Sequence, residues 1–157
     1  MPRTNPPARD LAQLFEFFNE IGILHQLSST RFDRVLPDGL TLSQFSVLNH
    51  FVRLDGTRTP AQLASAFQVT KGAMTNTLKK LAAKRCIKIT ADPDDGRSKR
   101  VEITARGRAV REKARRAADV ELADVARGLD IDAVRKLLPA LQQMRSALDT
   151  ARDAPGE

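Results

Sequence analysis

Thr70-Lys71-Gly72-Ala73-Met74-Thr75-Asn76-Thr77-Leu78-Lys79-Lys80-Leu81 is followed closely by Cys86-Ile87-Lys88-Ile89-Thr90, and then by Ser98-Lys99-Arg100-Val101-Glu102-Ile103-Thr104. These three runs decide the fold. In the first, Met74, Leu78 and Leu81 recur at i, i+4 and i+7, which is one buried side of a helix, and Thr70 stands where an N-cap belongs. At about 100° per residue the opposite side carries Gly72, Asn76 and Lys79, flanked by Ala73, Thr75 and Lys80. The second and third runs alternate β-branched and polar residues. They are joined by Ala91-Asp92-Pro93-Asp94-Asp95-Gly96-Arg97, a turn composition, so they read as a β-hairpin. Its alternation points Ile87, Ile89, Val101 and Ile103 at the body of the protein and leaves Lys88, Lys99 and Arg100 for solvent or phosphate.

Upstream, Thr59-Pro60-Ala61-Gln62 combines a threonine cap, proline at the first helical position and glutamine at the third. A short helix follows with Leu63, Ala64 and Phe67 on its apolar side. Only Phe67-Gln68-Val69 separates it from Thr70. Two capped helices joined by a tight turn make a helix-turn-helix, and a hairpin placed directly after the second helix makes it winged. Before this unit, Leu40-Thr41-Leu42-Ser43-Gln44-Phe45 reads as a capping box with a hydrophobic staple. It opens a helix that buries Phe45, Leu48, Phe51 and Val52 and ends near Asp55-Gly56.

The flanks are helical too. Leu11, Leu14, Phe15, Phe18, Ile21, Leu24 and Leu27 follow steps of three and four, predicting an amphipathic helix over 8–29, with a looser stretch up to the turn at Pro37-Asp38-Gly39. After Thr104, a helix to about Arg127 aligns Val110, Ala114, Ala117, Leu122 and Val125, and Gly128 stops it. Asp130 caps a last helix with Ile131, Val134, Leu138, Leu141, Met144 and Leu148 on one side, in which Pro139 removes a backbone donor and should introduce a kink. The expected class is mainly α (α+β): a winged helix-turn-helix over 39–105, an N-terminal dimerisation helix in 1–38 and C-terminal dimerisation helices in 106–157. The terminal apolar stripes exceed what a small winged domain needs to cover, so they serve either a dimer interface or core packing within one chain.

Charge points to the partner. The 157 residues carry 26 Lys and Arg against 19 Asp and Glu, a net +7, with a sequence pI of about 10.2. From Lys71 to Arg116 there are 15 basic residues and 5 acidic ones, a net +10, so the remainder of the chain is acidic. Basicity concentrated in the patterned middle of a chain suits a polyanion, and double-stranded DNA fits a helix with a wing. The first amides of the Thr70 helix can bind a phosphate, Lys71, Lys79 and Lys80 add charge, and Asn76 could read an adenine edge. Small Gly72 and Ala73 permit close approach. Arg97 near the wing tip could enter a minor groove with Asp95 orienting it. A solvated lysine face and an ordinary charged hairpin are the plain alternatives.

Other function classes find little support. His25 and His50 are far apart without nearby cysteines, so no zinc spacing exists; phosphate loops and nucleophile motifs are missing, and no cofactor, metal or catalytic residue is expected. No apolar run spans a bilayer and Met1-Pro2-Arg3-Thr4-Asn5-Pro6-Pro7 lacks a signal-peptide core, so the expectation is a cytoplasmic protein without a membrane partner. The single cysteine, Cys86, reads as a structural thiol.

Asp92-Pro93-Asp94-Asp95-Gly96-Arg97-Ser98-Lys99, with Ile103-Thr104 and Gly107 after it, resembles the wing signature of the MarR (multiple antibiotic resistance regulator) family. Leu63-Ala64 through Leu78-Leu81 fits the helix-turn-helix that precedes it, and the flanking helices agree in length and order. The resemblance implies a transcription regulator, commonly a repressor, that binds a pseudo-palindromic site as a homodimer with intertwined terminal helices. It also implies release by a small-molecule effector of unidentified chemistry, seated between the dimer helices and the DNA-binding domain, where Phe17, Phe18, His25, Phe32 and Phe51 are candidates. No spacing selects among these five, and lone aromatic residues on apolar helix faces are more often core. The alternative is a winged-helix module that binds protein and no DNA.

Overall fold

A computed structural model of the chain describes residues 6–93, 95 and 98–153. The elements are α1 (Ala8–Val35), α2 (Leu42–Leu54), α3 (Pro60–Ala66), α4 (Lys71–Ala83), β1 (Ile87–Ala91), β2 (Lys99–Ile103), α5 (Ala105–Ala126) and α6 (Ile131–Asp153). This is the mainly helical winged helix-turn-helix read from the sequence. The chain forms two compact units, Met1–Ala118 and Asp119–Glu157.

In the first unit, α1 continues six residues beyond the expected end at 29. The stretch Thr30-Arg31-Phe32-Asp33-Arg34-Val35 lacks a strong apolar period, but its helix is held from outside. The Asp33 carboxylate accepts the Leu42 amide at 3.0 Å, and Leu36, just past the helix, packs against the core. Leu36 turns extended, at φ −67° and ψ 123°, because Pro37 follows it.

The start of α2 is capped as expected by Thr41, whose hydroxyl accepts the Gln44 amide at 3.3 Å. The second half of the expected capping box is not made. Gln44 is buried and its Oε1 has no hydrogen-bond partner, while Asp33 on α1 serves the first-turn amide of Leu42. The helix buries Val47, Leu48 and Phe51 along with Gln44, leaving the expected Phe45 and Val52 half-buried.

By contrast, α3 carries a complete capping box: the Thr59 hydroxyl accepts the Gln62 amide at 3.1 Å and the Thr59 amide donates to Gln62 Oε1 at 2.8 Å. Pro60 occupies its first turn. The turn into α4 bends through Gln68 at φ 51°, where the amides of Gln68 and Val69 donate to the carbonyls of Ser65 and Ala64, each at 3.0 Å.

Met74, Leu78 and Leu81 on α4 point into a core shared with Leu48 and Phe51 from α2, Leu63 from α3, and Ile87 and Val101 from the hairpin. The strands pair antiparallel, with Ile87 opposite Ile103 and Ile89 opposite Val101 on the inward side. Arg58 adds a single bridge on the far edge of β2. Its amide donates to the Val101 carbonyl at 3.0 Å and its carbonyl accepts the Val101 amide at 2.8 Å, so the segment before α3 anchors the hairpin.

Cys86 is buried at the entry to β1. Burial pushes its thiol pKa up, against the lowering fields of Arg106 and Lys84, as suits a packed thiol rather than a reactive one.

The α5 cap is Thr104, whose hydroxyl accepts the Gly107 amide at 3.0 Å. The helix buries Gly107, Ala114 and Ala118. In the second unit, Asp130 caps α6 by accepting the amides of Asp132 at 3.0 Å and Ala133 at 3.2 Å. The helix runs on through Pro139. Among the described residues, no helix is long and apolar enough to cross a membrane.

Candidate nucleic-acid interface

The N-terminus of α4 is built by Thr70, whose hydroxyl accepts the Ala73 amide at 3.1 Å. Lys71, Gly72, Ala73, Thr75, Asn76, Lys79 and Lys80 are all exposed, and Met74, Leu78 and Leu81 are all buried. The helix therefore has one face committed to the core and one offered outward. Its outward face is basic, polar and low in profile.

Two details refine the chemistry of that face. The Thr75 hydroxyl donates to the Lys71 carbonyl at 2.8 Å, so what it presents outward is its methyl group and its remaining acceptor capacity. Gly72 has negative φ, and a Cβ built on it would meet nothing within 4 Å. Neither backbone conformation nor internal packing requires glycine at that position. Its flatness matters only to something that approaches from outside.

On the hairpin, Lys88 and Lys99 are exposed, and Lys88 reaches Glu102 across the strands only at 3.9 Å. Arg100 is held differently. Its Nε donates to Asp92 Oδ2 at 2.9 Å, so the guanidinium is steered by a carboxylate at the start of the wing loop. Asp92 follows β1 and Arg100 stands opposite Thr90 at the turn end of the hairpin, a pairing visible only with the register known. A shallow cleft of about 290 Å³ lies there, lined by Thr57, Arg58, Thr59, Gln62, Asp92 and Arg100. Asp95 is exposed. Arg97, expected at the wing tip, lies outside the described residues.

The structure redistributes the basic excess. All six basic side chains from Arg106 to Arg116 donate hydrogen bonds to other groups of the chain. Arg106 bonds the Lys84 carbonyl, Arg108 bonds Asp55, Arg111 bonds Asn49, Lys113 bonds Asp38, and Arg115 and Arg116 bond Glu112. The hydrogen bond from Arg115, with Arg116 beside it, holds the Glu112 carboxyl at a pKa of about 2. Asp55 is likewise lowered, chiefly by its hydrogen bond from Arg108. On α4, Lys71, Lys79 and Lys80 are exposed, as are Lys88 and Lys99 on the hairpin.

The five candidate effector residues sit in different surroundings. Phe17 and Phe18 meet edge to face, with ring centroids 5.5 Å apart. Phe32 is half-buried, and Phe51 lies wholly within the core. His25 alone of the five lines a cleft of about 260 Å³, together with Leu42, Ser43, Ser46, Val47, Phe67, Val69, Ala73, Met74 and Thr77. The α2 and α4 lining was not legible because these residues are far apart in sequence. Among the described residues, no group of three or more His, Cys, Asp or Glu could hold a metal ion.

Comparison with known proteins gives this arrangement its family. Residues 38–98 match the MarR family model. The multiple antibiotic resistance protein MarR of Salmonella typhimurium is 34% identical over 106 residues, covering 62% of this chain and 73% of the relative. Among solved structures, the transcriptional regulator BldR of Sulfolobus solfataricus superposes with a TM-score of 0.74 at 26% identity, covering 87% of this chain and 97% of the other. Wild-type MarR of E. coli superposes with a TM-score of 0.68 at 25% identity, covering 90% and 98%. A mutant MarR of E. coli in complex with operator DNA superposes with a TM-score of 0.61 at 28% identity, covering 83% and 97%. With the family model matched over 38–98 and a relative at this identity and coverage, the chain belongs to the MarR family of transcription regulators.

Proposed function

We propose that the chain binds operator DNA as a homodimer, with one α4 in the major groove of each half of a pseudo-palindromic site and the wing against the flanking minor groove. The observation that carries this reading is the outward face of α4. Gly72, Ala73, Asn76 and Lys79 form a low, polar, cationic surface that the chain's own packing does not use. The E. coli relative in complex with operator DNA supports the same use of the fold.

In this reading Thr70 and the first amides of α4 hold a phosphate at the positive end of the helix dipole. Lys71, Lys79, Lys80, Lys99 and Arg100 neutralise further phosphates. Asn76 reads a base edge with paired hydrogen bonds, and Thr75 offers its methyl to a thymine. Arg97 enters the minor groove, and Asp95 supports the wing.

Dimerisation is supported by apolar side chains left in water. On α1, Leu11, Leu14, Phe15, Phe18, Leu24 and Leu27 are exposed, and on α6 so are Val134, Leu137, Leu138, Leu141, Met144 and Leu148. Stripes of this extent on a monomer mark an interaction surface. Residues 1–38 and 106–157 act as dimerisation segments around a DNA-binding domain at 39–105.

Function as a cytoplasmic repressor released by a small effector completes the proposal. The cleft beside His25 is the seat the geometry favours for that effector, because its wall includes Ala73, Met74 and Thr77 of α4. A ligand there touches the reading helix directly.

Selecting bound fragments from the source genome, with and without phenolic or oxidant effectors, tests the reading. The expected yield is an inverted repeat upstream of a small set of genes, lost with one effector class. Recovery of fragments without any common sequence contradicts it.

A further inference from the structure

The buried face of α5 in the first unit is made of Gly107, Ala114 and Ala118, with Val110 half-buried between them. Side chains this small let the helix lie close, but they supply few knobs to lock its rotation about its own axis. The polar groups on either edge of that face do what the small residues cannot.

Along one edge, Arg111 sends Nε and Nη2 to the same Asn49 Oδ1 on α2, at 3.0 and 2.7 Å, and Arg108 reaches Asp55 past the end of α2 at 2.8 Å. Along the other, Lys113 donates to both carboxylate oxygens of Asp38, at 2.9 and 3.0 Å, and Arg106 donates to the Lys84 carbonyl at the end of α4 at 2.9 Å. Asp38 closes the set, because its own carbonyl accepts Lys84 Nζ at 2.7 Å. The clamps thus join α5 to α2, to the turn before α2 and to the end of the reading helix.

We propose that Arg111 and Lys113, acting through Asn49 and Asp38, are positioning residues for operator binding: they fix the rotation of α5 on the winged domain and thereby the spacing of half-sites that a dimer accepts. Exposed ion pairs such as Lys113 with Asp38 add little to stability. Their value here is directional, since two clamps on opposite edges of a helix forbid rolling either way. The fork of Arg111, whose side chain is only 21% exposed, carries the greater share. The helix they hold is one element from Ala105 to Ala126, and it belongs to the segment proposed above to dimerise. The inference rests on the two-half-site reading above.

The test uses the full chain and a DNA fragment recovered by the genomic selection, compared with the same fragment lengthened by one base pair between its halves and with a single half-site. One inserted pair turns one half by about 35°. The wild type is expected to prefer the native spacing by about tenfold, because simultaneous engagement depends on geometry. Arg111→Met and Lys113→Met together should flatten that preference while leaving half-site affinity and the thermal midpoint near the wild-type values. Asn49→Asp, which keeps an acceptor for the fork, should retain the preference, and Asn49→Leu should lose it. Variants that read the spacer as sharply as the wild type overturn the positioning role alone. A half-site affinity that falls in parallel with full-site affinity also overturns it. A wild type indifferent to the spacer removes the two-half-site reading, and the positioning role with it.

Discussion

A Cβ added to Gly107 would stand 2.0 Å from the carbonyl oxygen of Cys86 and 2.8 Å from Ile103 Cγ1, so the first turn of α5 lies backbone to backbone against the entry to β1. The contact is tightened by Thr104, whose amide donates to the same Cys86 carbonyl at 3.1 Å and whose hydroxyl caps α5. Glycine is required there for space rather than for backbone freedom.

Gly107→Ala is therefore expected to destabilise the fold by about 1–3 kcal/mol, the usual cost of overpacking where the neighbour is backbone and cannot yield easily. Urea denaturation read by circular dichroism measures it. An unchanged midpoint would mean that the helix start can shift without cost.

Gly72→Ala should act with the opposite sign on stability. With open space at that position, alanine in the first turn of α4 is expected to add up to about 0.5 kcal/mol through helix propensity, less than in a helix interior. The same methyl projects from the face proposed to lie in the groove, so DNA affinity should fall while the melting temperature rises. A variant both more stable and equally tight on DNA would remove Gly72 from the interface.

These two glycines also show how far the sequence could be read. Caps, turns and apolar periods placed all eight elements, because Thr41, Thr59 and Thr70 each signal a helix start through local chemistry. Tertiary partners were less legible. The last turns of α1 are held by Asp33 reaching Leu42, and Gln44 turns into the core instead of completing its box. On α5, Ala114 of the expected stripe is buried and Val110, Ala117 and Val125 are half-buried, while Leu122 is exposed; Gly107 and Ala118 join the buried face, since small residues go where backbones approach most closely. The same limit applies to charge. Counting included Arg108, Arg111 and Lys113 in the basic stretch, whereas their partners Asp55, Asn49 and Asp38 lie more than 50 residues away in sequence. Of the candidate interface, the α4 face was legible at once, and the Asp92–Arg100 pair was not.

Acid should weaken the fold through Glu112. Its pKa is lowered from 4.5 to about 2 by Arg115 and Arg116, so the unfolded chain binds the proton more readily than the folded one. The stabilisation is complete above pH 4.5 and is lost as pH falls from there toward about 2. Asp55, lowered by Arg108, acts with the same sign. Glu112→Gln should flatten this part of the pH–stability curve measured by thermal melts between pH 2 and 6. A slope identical to that of the wild type would contradict the pairing.

Asn76→Ala should cost about 1–3 kcal/mol of discrimination at one base pair in each half-site, with little change elsewhere. Competition among operators varied one position at a time reports it. Equal losses at every position would make Asn76 a backbone contact instead.

The salt dependence of binding to operator DNA, compared between the wild type and Lys79→Ala, tests the use of α4 most directly. A dimer that neutralises several phosphates should show log K falling linearly with log salt at about −0.9 per phosphate, and Lys79→Ala should make the slope shallower by about one unit per subunit. A slope near zero, or one that Lys79→Ala leaves unchanged while affinity is also unchanged, would contradict the assignment of the outward face of α4 to DNA and favour a winged-helix module that binds protein.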